Sequence, residues 1–424
     1  MTYREAIRYL ESFINYEKIA EYPYKESLKL ARVKEFLDTI GSPQDSLRCI
    51  HIAGSKGKGS TCAFIAYILR EAGYKTGLYT SPHLSDFRER IRILEPAGNR
   101  RLRRQDFEGM IPRKSLIRQV ERLKPAIEKY NRGSKYGPLS FFEVYTAIAF
   151  RYFREQRVDL AVLETGLGGR LDATNTCNAL ISVIAPISYE HTQKLGNTLA
   201  EIAAEKAGII KRHQPVVITA PQEKEALEVI RNRCKEVGVK LYQPKIRRLE
   251  IRLLGRHQQI NANLAVAAIK ALAGCGIRIK KHHINRGLLH TRWPARCEVI
   301  AKRPLVILDG AQNIASSRIL KQAVRENFKY NRLFLVLGIS KDKDIRGICS
   351  ELYDLADEAV LTKADNPRAT PPGVLAGYFS GKNIHQTGSV KEAKALAYKL
   401  AKKDDLILVT GSLFVAGEFR DGTS

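Results

Sequence analysis

The residues Leu47-Arg48-Cys49-Ile50 lead into His51-Ile52-Ala53-Gly54-Ser55-Lys56-Gly57-Lys58-Gly59-Ser60-Thr61, and an apolar run follows over 62–69. A strand, a glycine-rich turn and a helix in that order make a phosphate-binding loop and commit the chain to an α/β fold built around it. Gly54, Gly57 and Gly59 let backbone N–H groups turn inward around phosphate oxygens, Lys58 adds a mobile cation, and the next helix offers its positive end. The spacing is irregular. The common pattern is G-x-x-x-x-G-K-[ST], whereas here Gly59 separates Lys58 from Ser60. A glycine turn without a ligand is the alternative, and it leaves the ordered strand, lysine, hydroxyl and helix without a reason. A nucleoside triphosphate is the expected ligand.

A length of 424 residues allows two or three domains, and 44% hydrophobic with 27% charged residues is a globular composition. No run approaches the ~20 apolar residues of a membrane span. Residues 1–10 carry charge where a signal peptide would be apolar, so the expectation is a soluble, cytoplasmic protein. Seven scattered cysteines, never in C-x-x-C spacing, argue against a disulfide framework and against zinc. The net charge of +27 admits nucleic-acid binding or a solvated basic surface on an enzyme with polyanionic substrates. Its densest run is Arg100-Arg101-Leu102-Arg103-Arg104, and no helix-turn-helix, RNP-like or zinc-finger pattern accompanies it. A solvated loop is the expectation there, with no nucleic acid and no membrane as partner.

Hydrophobic periodicity organises the rest. Tyr9, Leu10, Phe13 and Ile14 fall on one helical face, and a second helix over 28–40 ends at Gly41 and Pro43. An amphipathic helix over 141–153 precedes a buried-type strand over 158–164, and 181–187 and 216–219 read as further strands. Apolar runs separated by helices imply a mostly parallel sheet covered on both faces. After Trp293-Pro294 the pattern restarts with strands over 304–308, 333–337, 358–362 and 406–410 and helices over 316–328, 345–356 and 390–403. The expected architecture is an α/β chain of two domains: a P-loop-containing, mostly parallel sheet domain over 1–292 and a smaller, doubly wound, Rossmann-like domain over 293–424.

Several residues beyond the loop invite chemistry. Glu164 ends a strand where P-loop folds place a magnesium-holding carboxylate, and the turn Thr165-Gly166-Leu167-Gly168-Gly169-Arg170-Leu171-Asp172 follows it directly. In a helix over 198–207, Leu199, Ile202, Ala203 and Lys206 share a face. On the residues alone, a lysine on an apolar stripe is read first as snorkelling to solvent. His191 is either a loop histidine or a metal or phosphate ligand. In the second domain, Asp309-Gly310-Ala311-Gln312-Asn313 and Gly338-Ile339-Ser340-Lys341-Asp342-Lys343-Asp344 end strands where open α/β sheets bind ligands, with Arg296 thirteen residues upstream of Asp309.

These residues stand in segments that resemble the folylpolyglutamate synthase and dihydrofolate synthase branch of the Mur ligase superfamily. The segments are HIAGSKGKGS, LYTSPHLSDFRERI, SFFEVYTAIAFRYF, VDLAVLETGLGGRLDATN, AEKAGI, GRHQQINANLA, WPAR, DGAQN, GISKDKD and TGSLF. The resemblance implies an ATP- and Mg²⁺-dependent ligase that phosphorylates a folate or pteroate carboxylate to an acyl phosphate, which the amine of L-glutamate then attacks. Carried over by motif, Gly54, Ser55, Gly57, Lys58, Gly59 and Ser60 hold the phosphates. Asn261, Arg296 and Asp309 grip the nucleotide, which lies between the domains. Ser81, Glu164, His191 and a carbamylated Lys206 ligate magnesium, reversing the snorkelling reading. Lys58, Glu164, His191 and Lys206 form the catalytic set, and Phe142, Asp172, Gln312 and Ser412 lie in segments that contact substrate. A monomer is expected. One enzyme of this family often performs both the dihydropteroate and the tetrahydrofolate reaction.

The chain departs from the family at instructive places. The usual loop is G-T-N-G-K-G-S, and here Ser55 and Lys56 replace the threonine and asparagine. Glu190 stands for the usual aspartate before the histidine, Gln312 for the histidine of D-G-A-H-N-P, and Ile314 for its proline. After Glu89-Arg90-Ile91 an isoleucine-asparagine-glycine turn is replaced by Ile93-Leu94-Glu95. Two rival readings follow: a Mur-type ligase with another carboxylate acceptor, and a nucleotide-binding paralogue impaired in catalysis.

Overall fold

The computed structural model describes residues 1–19, 22–98 and 107–421, and the run Arg100 to Arg104 lies outside them. The chain divides into two compact units. The first comprises Met1–His83, Phe87–Arg252 and Gln259–Thr291, and the second Leu84–Asp86, Leu253–Gln258 and Arg292–Ser424.

The first unit is built on β1 (Cys49–Ala53), β2 (Thr76–Tyr79), β3 (Ile91–Leu94), β4 (Leu160–Glu164), β5 (Ala179–Ile184), β6 (Val216–Thr219) and β7 (Lys240–Tyr242), in the order β3-β2-β4-β1-β5-β6-β7. All neighbours run parallel except β2 and β3. Every residue of β4 and β1 is buried, as a sheet covered on both faces requires. The helix Lys58–Glu71 crosses this sheet with twelve of its fourteen residues buried. Its far end is tied to the helix Lys281–His290, because buried Glu71 takes Arg70 at 2.7 Å, His290 at 3.0 Å and Arg286 at 3.2 Å. Register then lines up the strand ends: Tyr79 pairs with Leu163, Ile52 with Glu164 and Ala53 with Ile184. The segments after β2, β4, β1 and β5 therefore emerge side by side at one edge.

The second unit carries β8 (Glu298–Lys302), β9 (Leu305–Leu308), β10 (Leu333–Leu337), β11 (Glu358–Leu361), β12 (Asn383–Gln386) and β13 (Leu406–Thr410), ordered β12-β11-β10-β13-β9-β8. Only the β8 and β9 pair is antiparallel. The α/β architecture with two mostly parallel sheets is thus as the hydrophobic pattern predicts. Among the described residues no helix is long and apolar enough to cross a membrane.

Three local expectations are corrected. The first helix is Tyr3–Glu11, so Phe13 and Ile14 lie beyond it: Ser12 caps the end, donating its N–H to Arg8 O and its hydroxyl to Tyr9 O. The strand expected over 181–187 stops at Ile184, because Pro186 has no N–H to continue a ladder. Its carbonyl instead accepts the N–H groups of Ser55 at 2.9 Å and Lys56 at 3.1 Å. The helix Phe141–Glu155 is buried around most of its circumference rather than along one stripe, since the helices Tyr3–Glu11 and Arg113–Gly133 pack on the side away from the sheet.

Candidate active site

The phosphate loop is held open by its neighbours. Ser55 donates its N–H to Pro186 O and its hydroxyl to Ser188 O at 3.0 Å, so both of its donors anchor the loop to the segment after β5. Gly57 has φ +79°, and a Cβ there would lie 2.1 Å from Asn261 Oδ1. Left-handed backbone and a side chain packed against it both demand glycine. Gly57→Ala is therefore expected to deform the loop, with nucleotide affinity falling by a hundredfold or more, of order 3 kcal/mol. Titration calorimetry with ADP checks this, and wild-type affinity in that variant would show the close packing to be irrelevant.

Lys58 and Lys206 converge on one atom. Lys58 Nζ donates to Gly54 O at 3.0 Å and Lys206 Nζ donates to the same oxygen at 2.9 Å. Lys206 does not snorkel: it is 1% exposed, on the helix Leu199–Ala207, whose start is fixed by a capping box between Thr198 and Glu201. Its counter-ion is Glu190 Oε1 at 3.1 Å, while Lys56 reaches Glu190 Oε2 at 3.4 Å. Burial lowers Lys206 to about 8 despite the opposing pull of Glu190, with Lys58 and Lys56 pushing the same way. Burial alone would raise the Glu190 carboxyl, but Lys206, Lys58 and Lys56 outweigh it and hold it well below the usual range. Sequence reasoning noted Glu190 as a departure without giving it a role, and sequence spacing carries no signal for a contact to Lys56 across 134 residues.

Glu164 and Ser81 meet as the register of β2 and β4 requires, with Ser81 N–H donating to Glu164 Oε2 at 3.1 Å. His191 is exposed and sits at φ +50°, ahead of the short helix Thr192–Leu195, a left-handed conformation that histidine tolerates better than most residues. No group of three or more His, Cys, Asp or Glu gathers among the described residues. Magnesium, the expected ion, takes one or two carboxylates and completes its shell with water and substrate phosphates. Thr165 Oγ1, directly after Glu164, is buried without a hydrogen-bond partner and adds an oxygen donor to this edge. Lys206 joins the donor set only as a carbamate, since an ammonium has no lone pair.

The glycine-rich turn after Glu164 packs against protein. Asp172 accepts the N–H groups of Gly166 at 2.9 Å, Leu167 at 3.0 Å and Thr174 at 3.0 Å, so both carboxylate oxygens lock the turn. A Cβ at Gly169 would lie 2.9 Å from Glu205 O and 3.0 Å from Lys206 O, while Gly166 lies against the Phe142 ring. Arg170 completes the clamp with Glu205 at 2.7 Å. The turn thereby fixes the helix that presents Lys206.

In the second unit, DGAQN, GISKDKD and TGSLF stand at the carboxyl ends of β9, β10 and β13. Asp309 accepts the N–H groups of Cys297 and Ala311, each at 2.8 Å, and burial pushes its carboxyl up against the pull of Arg296. Ser412 Oγ accepts from Phe414 N–H at 3.2 Å, and Gln312 is exposed beside the N-cap of the helix Ile314–Asn327.

A family model described as Mur ligase, glutamate ligase domain matches residues 295–413. Over 421 residues the chain is 32% identical to the dihydrofolate synthase/folylpolyglutamate synthase of Bacillus subtilis, covering 92% of this chain and 94% of that protein. Folylpolyglutamate synthase of Mycobacterium tuberculosis complexed with ADP matches at a TM-score of 0.86 and 28% identity, over 99% of this chain and 97% of that one. The bifunctional folylpolyglutamate synthase/dihydrofolate synthase of Yersinia pestis complexed with AMPPNP and Mn ion matches at a TM-score of 0.82 and 25% identity, over 100% and 98%.

Proposed function

The chain belongs to the folylpolyglutamate synthase/dihydrofolate synthase family, and from that premise we propose that it is an ATP-dependent ligase joining L-glutamate to a folate-type carboxylate. A carboxylate and an amine do not condense in water, so the acid has to be activated. Transfer of the γ-phosphoryl group of ATP gives an acyl phosphate, the amine of glutamate attacks its carbonyl carbon, and phosphate leaves. The observation that carries this reading is the convergence of Lys58 and Lys206 on Gly54 O. Glu190 balances Lys206, and a polyphosphate seated on the loop supplies the anionic charge that the second ammonium, Lys58, calls for.

The roles are carried over by motif from the family. Lys58, Ser60 and the amides of Gly57 and Gly59 hold the β- and γ-phosphates, with Ser55 anchoring the loop behind them. Ser81, Glu164, His191 and carbamylated Lys206 would hold the divalent cation. When bound, that ion neutralises phosphate charge and polarises the transferring phosphoryl group. Asn261, Arg296 and Asp309 are assigned to the nucleotide. Phe142 and the turn locked by Asp172 are assigned to the folate-type substrate, and Gln312 and Ser412 to glutamate. We place the enzyme in the cytoplasm as a monomer; seven free cysteines, six of them buried, suit a reducing compartment.

The deciding experiment is phosphate release from ATP and Mg²⁺ with L-glutamate and either dihydropteroate or tetrahydrofolate. Release that requires both glutamate and the pterin substrate is the expected result, and comparing the two pterins separates one activity from two. ATP turnover indifferent to both pterins, or dependent on a muramoyl acceptor, would overturn the proposal.

A further inference from the structure

Lys56 is the loop residue for which the ligase chemistry above has no use. It stands with Glu190, and these two departures from the family pattern touch each other. We propose that Lys56 is a second phosphate-binding cation of the loop, one that exchanges Glu190 for phosphate oxygens of the nucleotide and leaves Glu190 to Lys206. The inference rests on the nucleotide reading of this loop.

Unequal burial decides which lysine moves. The Lys206 side chain is 2% exposed and lies 3.1 Å from Glu190 Oε1, whereas Lys56 is 30% exposed and lies 3.4 Å from Oε2. A buried ion pair is costly to break because it strands a desolvated charge, while a longer, partly exposed pair contributes little and is readily exchanged. Geometry points the same way. The Lys56 N–H is fixed on Pro186 O at 3.1 Å, which holds the root of the side chain at the loop. Its four-carbon stem carries the ammonium, and a lysine acts on phosphate as a movable point charge. Triphosphate bears several negative charges against the single one of Glu190, so phosphate competes successfully for the exposed cation. As long as Lys206 is an ammonium, Glu190 remains its counter-ion, since Lys206 and Lys58 would otherwise crowd two positive charges on Gly54 O.

The test is equilibrium binding of ADP and of a non-hydrolysable ATP analogue by titration calorimetry, using the full chain with Mg²⁺ at two salt concentrations. For Lys56→Asn the Kd of the ATP analogue is expected to rise about tenfold, with a weaker salt dependence than wild type and an unchanged Tm without nucleotide. Lys56→Arg should keep most of the affinity. If Lys56→Asn loses stability, Lys56→Gln repeats the measurement with a longer polar side chain. Wild-type Kd in the asparagine or glutamine variant overturns the inference, and so does a fall in kcat at unchanged Kd, which would make Lys56 a tether for Glu190 alone. Failure of the wild type to bind either nucleotide is a different outcome: it removes the ligase reading itself.

Discussion

Replacing Lys206 by alanine should lower kcat by about a thousandfold, the scale on which an enzyme loses a positioned charge from its transition state. The side chain is buried, its Nζ touches Gly54 O and Glu190, and the turn after Glu164 clamps its helix from the other side. Alanine removes the counter-ion of Glu190 in the ammonium form of the lysine, and an anionic ligand for the metal in its carbamylated form. A stability cost of roughly 3 kcal/mol follows from the stranded carboxylate, so the kinetics must be read on protein shown to be folded. Two readouts separate the roles. Labelling with ¹³C-bicarbonate should give a carbamate carbon resonance in the wild type that is lost in Lys206→Ala. The thermal loss should shrink in Lys206→Ala/Glu190→Gln, because the second change removes the stranded charge. Wild-type turnover in Lys206→Ala, or a wild type without the labelled resonance under saturating Mg²⁺ and nucleotide, would refute the corresponding role.

What the sequence made legible was local. The loop, the acid ending β4 and the alternation of apolar runs with helices are short-range patterns, and each lies where its pattern put it. The face shared by Leu199, Ile202 and Ala203 is buried as the spacing predicts, and Lys206 is buried with it, against the snorkelling that the residues alone suggest. What could not be read was the meeting of distant residues. Nothing local ties Lys56 to Glu190 or Glu190 to Lys206, since those contacts arise only when β1 and β5 pair and bring their following segments together. One misplacement had a signal in the chain: Pro186 marks the end of β5. The helix Phe141–Glu155 shows the remaining limit: periodicity identifies one buried face but not how many layers will cover the others.

Glu164→Gln separates charge from shape at the proposed metal edge. The amide oxygen can still accept the Ser81 N–H that Glu164 Oε2 accepts at 3.1 Å, so the ends of β2 and β4 should stay in place and Tm should hardly change. The negative charge is lost. A hard divalent cation held by one carboxylate, a lysine carbamate, a hydroxyl, an imidazole and phosphate oxygens depends on that charge more than on any neutral donor. The expected result is a kcat lower by about a hundredfold or more, with the Mg²⁺ concentration for half-maximal rate raised at least about tenfold, the range typical of a damaged metal site. KM for the folate substrate should move little, because the turn locked by Asp172 takes its hydrogen bonds from residues that the substitution leaves alone. A magnesium titration of the variant that superimposes on the wild-type curve would take Glu164 out of the metal set. A lost Tm with normal magnesium dependence would instead make the carboxylate a strand-end fastening for Ser81.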